Sequence, residues 1–151
     1  MISQPTFFVK RMHRLASIPT KATPGSVGFD LIACIDAPIT VWPDQTVLVG
    51  TGISLAPTEA GLATVLVPRS GLGHKHGIVL GNLTGIIDTD YRGEIKVSIW
   101  NRSETSFTLH PGDRMAQMLV IQTLSPVFID VPELPESERG DGGFGSSGVS
   151  S

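Results

Sequence analysis

Three short segments carry the residue types that activate water and hold charged groups. Gly85-Ile86-Ile87-Asp88-Thr89-Asp90-Tyr91-Arg92-Gly93 sets two carboxylates and a phenol between an apolar pair and a turn. A carboxylate beside buried neighbours, here Ile86 and Ile87, is a candidate general base if a water lies within hydrogen-bond reach. The commoner fate of Asp-x-Asp is a solvated acidic turn, and the residue types do not choose between Asp88 and Asp90. Pro68-Arg69-Ser70-Gly71-Leu72-Gly73 follows a strand-like run. Its glycines can aim backbone N–H groups into a concavity, Arg69 adds a cationic fork, and Ser70 adds a hydroxyl donor. That set suits phosphate; a strand-ending turn with a surface arginine explains the hexapeptide equally well. Asp30, in Gly28-Phe29-Asp30-Leu31, has apolar neighbours and is expected to be partly buried, either capping a turn or orienting water around a metal.

Two further segments are weaker. Gly112-Asp113-Arg114-Met115-Ala116-Gln117 opens a strand, with Asp113 and Arg114 as an internal ion-pair candidate and Gln117 as a polar intruder among apolar residues. His74 and His76 flank Lys75 at a spacing open to zinc, but no cysteine or carboxylate lies close by, so a loop or short-helix role is expected.

Short strands must position these groups. Glu94 to Trp100 alternates with period two, placing Ile95, Val97 and Ile99 on one face. Thr46 to Leu55 and Leu62 to Val67 are rich in Val, Thr and Leu; Phe107 to Leu109, Met115 to Ile121 and Val127 to Val131 read as further strands. Trp42-Pro43-Asp44-Gln45, Thr51-Gly52, Tyr91-Arg92-Gly93 and His110-Pro111-Gly112-Asp113 have turn chemistry. The one helix expected is a short turn near Gly71 to His76. Such spacing predicts an all-β sandwich or distorted barrel with jelly-roll-like connections.

Bulk properties narrow the function classes. A chain of 151 residues, 40% hydrophobic and 17% charged, fits a single domain with its own core. Cys34 is the only cysteine, so no intramolecular disulfide can form. A net charge of −3 gives no global basic field for nonspecific nucleic-acid binding. No apolar run is long enough for a membrane span or signal peptide, and a cytoplasmic protein is expected. From Glu133 the composition turns to Pro, Glu, Gly and Ser, dividing a β-domain (1–132) from a flexible Gly-rich C-terminal arm (133–151). Arg139 and Phe144 flank glycines that permit close backbone approach, a composition suited to a lid over a phosphorylated, ring-bearing ligand.

In this order the segments resemble the trimeric deoxyuridine triphosphatases, bacterial members especially. The matching motifs are Gly28-Phe29-Asp30-Leu31, Pro68 to Gly73, Gly85 to Glu94, Gly112 to Gln117, and Arg139 to Gly148. Departures are slight: Val27 stands where alanine is usual, and Ser147 where threonine is common, keeping a hydroxyl.

The resemblance implies a jelly-roll-like β-clip fold, a homotrimer with active sites assembled from three subunits, and Mg²⁺-assisted cleavage of dUTP to dUMP and pyrophosphate. It assigns the base to Asp88, because some members lack a carboxylate at the position of Asp90. Arg69, Ser70, Gly71 and Gln117 would hold the phosphates, and Asp30 the waters of a Mg²⁺ chelated mainly by the triphosphate. The hairpin with Asn82, Gly85, Ile86, Ile87 and Asp88 would read uracil and deoxyribose, with Tyr91 beneath the sugar and Lys96 nearby. Arg139, Gly145, Ser146 and Ser147 would close on the γ-phosphate while Phe144 stacks on the base, worth ~1–3 kcal/mol by analogy with base–aromatic contacts. The rivals are a dCTP deaminase, which would need a catalytic glutamate in the hairpin region, and a dUTP sensor without turnover, which would need no general base.

Overall fold

A computed structural model describes residues 4–142. Among them the chain forms strands β1 (Phe7–Arg11), β2 (Phe29–Ile32), β3 (Ile39–Val41), β4 (Thr46–Gly50), β5 (Ile53–Pro57) and β6 (Leu62–Val67). Helix α1 (Ser70–His76) follows, then β7 (Ile78–Leu80), β8 (Gly85–Ile87), β9 (Lys96–Asn101), β10 (Phe107–Leu109) and β11 (Arg114–Gln122).

The strands pair as β1-β5, β10-β3, β2-β11-β6-β8 and β4-β9-β7. Most neighbours are distant in sequence, which gives the jelly-roll-like crossovers expected of the chain. Among the described residues no sheet closes on itself, so the barrel is open, in keeping with the distorted form expected. Most strands have only three to six residues, and Gly- and Pro-bearing turns end each sheet before it can curl onto itself.

The expected periodicity of β9 holds. Ile95, Val97 and Ile99 are each about 1% exposed, and each such burial contributes roughly 1.5–3 kcal/mol. Asn101 continues that face into the core, fully buried. Its amide donates to the carbonyls of Val41 (2.9 Å) and Thr105 (2.8 Å), and its oxygen accepts from Ser103 N–H and O–H. Hydrogen bonds this complete offset the cost of burying the amide.

Three local expectations change. Thr46 to Leu55 is not one strand: Gly52 takes φ +69° and breaks it into β4 and β5. A Cβ there would lie 2.5 Å from Cys34 Sγ and 2.9 Å from Ala16 Cβ, so only glycine fits. Val127 to Val131 is not a strand, because no neighbouring strand in the chain supplies a ladder; Val127, Phe128 and Ile129 are largely exposed. Conversely β1, β3, β7 and β8 form from runs too short to announce themselves, each completed by a partner far along the chain.

Strand β11 organises the functional region. Its register sets Gln117 opposite Asp30 of β2 on one side and opposite Val67 of β6 on the other. Two residues past Val67, the chain reaches Arg69 and α1.

Candidate active site

Two groups of polar residues emerge, at opposite ends of the four-stranded sheet. The first surrounds a cleft of about 260 Å³ walled by Leu48, Ile86 and Ile87 and carrying Asp88, Tyr91, Glu94 and Lys96. Asp88 lines this cleft and Asp90 does not, a distinction the residue types left open. Ile86 is exposed, contrary to expectation, because Gly85 turns inward onto Leu66 and the strand alternation sends Ile86 outward. Asp88 therefore stands beside an open apolar wall, itself exposed.

The loop from Asp88 to Glu94 is self-braced. Tyr91 N–H donates to the Asp88 carbonyl (3.2 Å), and the Tyr91 hydroxyl donates to the Glu94 carbonyl (3.0 Å). Gly93 is required beneath the ring, since a Cβ there would collide with the Tyr91 hydroxyl and ring. Thr89 ties the loop to β6 through the Leu62 carbonyl (2.8 Å). Leu48 and Glu94 were not foreseen as cleft residues. The available signal for Leu48 was an apolar side chain on the outward face of β4; for Glu94 it was a carboxylate closing the same loop as Asp88.

The second group centres on Asp30. Its carboxylate is 13% exposed and pairs through Oδ1 with Arg69 Nε (3.3 Å) and through Oδ2 with Arg114 Nη1 (3.3 Å). Asp30 is thus partly buried as expected, and it neither caps a turn nor stands free. Arg114 corrects the expected pair with Asp113. Asp113 Oδ2 instead accepts from His110 N–H (2.8 Å) and closes the turn before β11, while the bulge at Arg114 re-aims that side chain across to β2. Two guanidinium groups thus share the Asp30 carboxylate, with Asp113 lining the same pocket as Arg69 and Arg114.

Gln117 packs against Gly28, where a Cβ would lie 2.7 Å from Gln117 Oε1. Ser70 and Gly71 are exposed in the first turn of α1, whose leading N–H groups have no acceptor within the helix. The histidines fall on this short helix, as expected, and His76 leans on the Phe107 ring (centroids 5.6 Å apart).

One chain does not bring the two groups together. Thr64 pairs with Ile87, so that register continues to Asp88 beside Ala63, while Arg69 lies beyond the other end of β6. Six residues at strand rise separate Ala63 from Arg69, about 20 Å. Asn82 and Gly85 lie at the start of the hairpin and do not line the Asp88 cleft. Arg139 is exposed and donates from Nε to the Gly142 carbonyl (2.7 Å), likewise away from the cleft lining. Phe144, Gly145, Ser146 and Ser147 lie outside the described residues.

The strand order places the chain in the jelly-roll β-clip class, and comparison with known proteins narrows this further. The chain belongs to the dUTPase family, whose family model matches residues 14–148. The deoxyuridine 5'-triphosphate nucleotidohydrolase of Aeromonas salmonicida (strain A449) is 55% identical over 131 residues, covering 87% of this chain and 86% of that protein. The protein of the same name from Idiomarina loihiensis (strain ATCC BAA-735 / DSM 15497 / L2-TR) is 51% identical over 140 residues, 93% of each. Among solved structures, the dUTPase of Staphylococcus bacteriophage 80alpha with dUPNHPP matches at TM-score 0.86 and 26% identity, covering 95% of this chain and 99% of that one. A mutant dUTPase from phage phi11 of S. aureus, described with a structural Mg(II) ion, shares the fold at TM-score 0.77 and 19% identity, covering 87% and 99%. Family and relatives make the chain a dUTP diphosphatase.

Proposed function

We propose that the chain hydrolyses dUTP to dUMP and pyrophosphate, with Asp88 accepting a proton as water attacks the α-phosphorus in line. The observation that carries this reading is the division between two sets of groups about 20 Å apart along the strand direction. An apolar-walled cleft with one candidate base suits a nucleoside; a cationic cluster with free helix N–H donors suits phosphates. One copy sets the two groups far apart, and the reading takes from the family resemblance a homotrimer in which copies pool them. Arg69, Ser70, Gly71 and Gln117 then hold the phosphates, and Arg139 with Gly145, Ser146 and Ser147 of the arm closes over them while Phe144 covers the base. Phosphoryl transfer of this kind needs positioning and charge stabilisation more than covalent chemistry.

Selectivity follows from the hairpin that leads into the cleft and from the cleft itself. Backbone groups of the hairpin from Asn82 through Gly85, Ile86 and Ile87 pair with the uracil edge and would meet cytosine donor to donor. Tyr91, held against Gly93, leaves no space for a ribose hydroxyl. Lys96 lies beside the same pocket.

Mg²⁺ fits the residues present only in an outer role. Among the described residues no group of three or more His, Cys, Asp or Glu side chains gathers to hold a metal. Both Asp30 oxygens already face guanidinium groups but keep lone pairs for metal-bound water. Asp30 would hold the ion through water while the triphosphate chelates it, and the bound ion supplies charge neutralisation. No helix among the described residues is long and apolar enough to cross a membrane. A cytoplasmic enzyme that removes dUTP from the nucleotide pool and supplies dUMP for thymidylate synthesis fits this chemistry.

The test is pyrophosphate release with Mg²⁺ from dUTP, dCTP, dTTP and UTP, beside an Asp88→Asn variant. Cleavage of dUTP alone, abolished in the variant, supports the reading. Ammonia from dCTP would move the protein to the deaminases, and tight dUTP binding without turnover would make it a sensor. Truncation before Arg139 is expected to leave a folded protein with little turnover.

A further inference from the structure

We infer that Glu94 is a positioning residue for the Asp88 cleft, acting through Gly52; the inference rests on the proposed role of Asp88. Glu94 Oε1 accepts from the Gly52 N–H at 2.9 Å, across 42 residues of sequence. Its Oε2 lies 3.9 Å from Lys96 Nζ, and its backbone carbonyl receives the Tyr91 hydroxyl. One residue therefore connects the β4–β5 turn, the tyrosine and the lysine of the cleft.

The turn is shaped to receive this carboxylate. A Cβ on Gly50 would collide with the Glu94 carboxyl group, so glycine at 50 clears its path. Gly52 is fixed from behind by Cys34 and Ala16, which fill the space a side chain would need. Its N–H is thus a donor held at a set position, and Glu94 supplies its acceptor at the break between β4 and β5.

Three side-chain hydrogen bonds tie the 88–94 loop to the rest of the fold: Thr89 to the Leu62 carbonyl, Ser54 to the Arg92 carbonyl, and Glu94 to Gly52. Of the loop residues so tied, only Glu94 also lines the cleft. Its loss frees the wall that carries Tyr91 and Lys96 to move relative to Asp88. The Lys96 pair is long, with the lysine side chain 49% exposed, and such pairs contribute little. The hydrogen bond to Gly52 is the element that acts, and glutamine reproduces it.

The experiment compares Glu94→Ala, Glu94→Gln and Glu94→Asp with the parent protein and Asp88→Asn, reading kcat, KM for dUTP and thermal midpoint. Glu94→Ala is expected to lose about 10- to 100-fold in kcat, the scale of a misplaced reacting group, with a smaller change in KM. Glu94→Gln should stay within about twofold of the parent, because its amide oxygen accepts the same hydrogen bond. Glu94→Asp keeps the charge but falls short of Gly52; with a thermal midpoint that shows it folded, it should lose kcat on the same scale, which decides the matter should Glu94→Ala not fold. Parental kcat in Glu94→Ala or Glu94→Asp overturns the inference, and so does equal impairment in Glu94→Gln, which would make charge rather than the hydrogen bond the active feature. Turnover retained by Asp88→Asn would instead sink the reading of the base, a distinct outcome.

Discussion

Asp88 and Arg69 lie beyond opposite ends of strand β6, one beside Ala63 through the β8 register and the other past Val67. No side-chain rotation bridges a gap of about 20 Å. On the proposed reading, in which Asp88 activates water and Arg69 holds phosphate, this separation is what a site shared between copies of the chain would explain.

Asp30 is the hub of the phosphate end, and its removal has two separable effects. In Asp30→Asn the Arg69 and Arg114 guanidinium groups lose their shared partner. With Arg114 half exposed, the loss is discounted from the fully buried case to about 1–3 kcal/mol, visible in denaturant unfolding. Turnover should fall further than stability explains, and added Mg²⁺ should not restore it. Parental Mg²⁺ dependence in the variant would remove Asp30 from the metal's surroundings.

Gly93→Ala tests the sugar platform. The new methyl group collides with Tyr91 and pushes the ring from its place above the loop. KM for dUTP is expected to rise, and the preference for dUTP over UTP to shrink by about tenfold or more, since a packed wall then no longer excludes the extra hydroxyl. Unchanged discrimination would mean that Tyr91 does not read the sugar.

Cys34 gives a pH signature. Burial, then the nearby Glu94 and Asp36 carboxylates, push its thiol above the ordinary value of 9.0. A folded pKa above the unfolded one means stability fully present below the unfolded value and lost as pH rises through the folded one. Stability should therefore decline in the alkaline range, where the unfolded thiol ionises before the folded one. Maleimide labelling of the native protein should reach half its maximal rate above pH 9.0. Half-maximal labelling below that value would contradict the burial argument.

The sequence made some of this legible and hid the rest for physical reasons. Period-two alternation exposed β9, and Val- and Leu-rich composition exposed β6 and β11, because their inward faces are decided by nearby residues. Strands β3, β7 and β8 have three residues each, too few for a period, and exist because distant partners supply their ladders. The Asp30–Arg114 pair is invisible in the sequence because it joins residues 84 positions apart, through the pairing of β2 with β11. Ile86 is apolar yet exposed, because Gly85 takes the inward position against Leu66 and strand alternation turns Ile86 outward. Residue types do not separate Asp88 from Asp90; only the fold shows that Asp88 lines the cleft and Asp90 does not.

The most direct test of the shared site is complementation between two defective proteins. Asp88→Asn and Arg69→Ala are each expected to lose nearly all pyrophosphate release from dUTP. Co-refolded in equal amounts, they should regain activity, because some sites then combine an intact Asp88 from one copy with an intact Arg69 from another. Random assortment restores about a quarter of the sites. Co-refolded protein, shown by mass to contain both chains, that remained as inactive as its parents would contradict the division of the site between subunits.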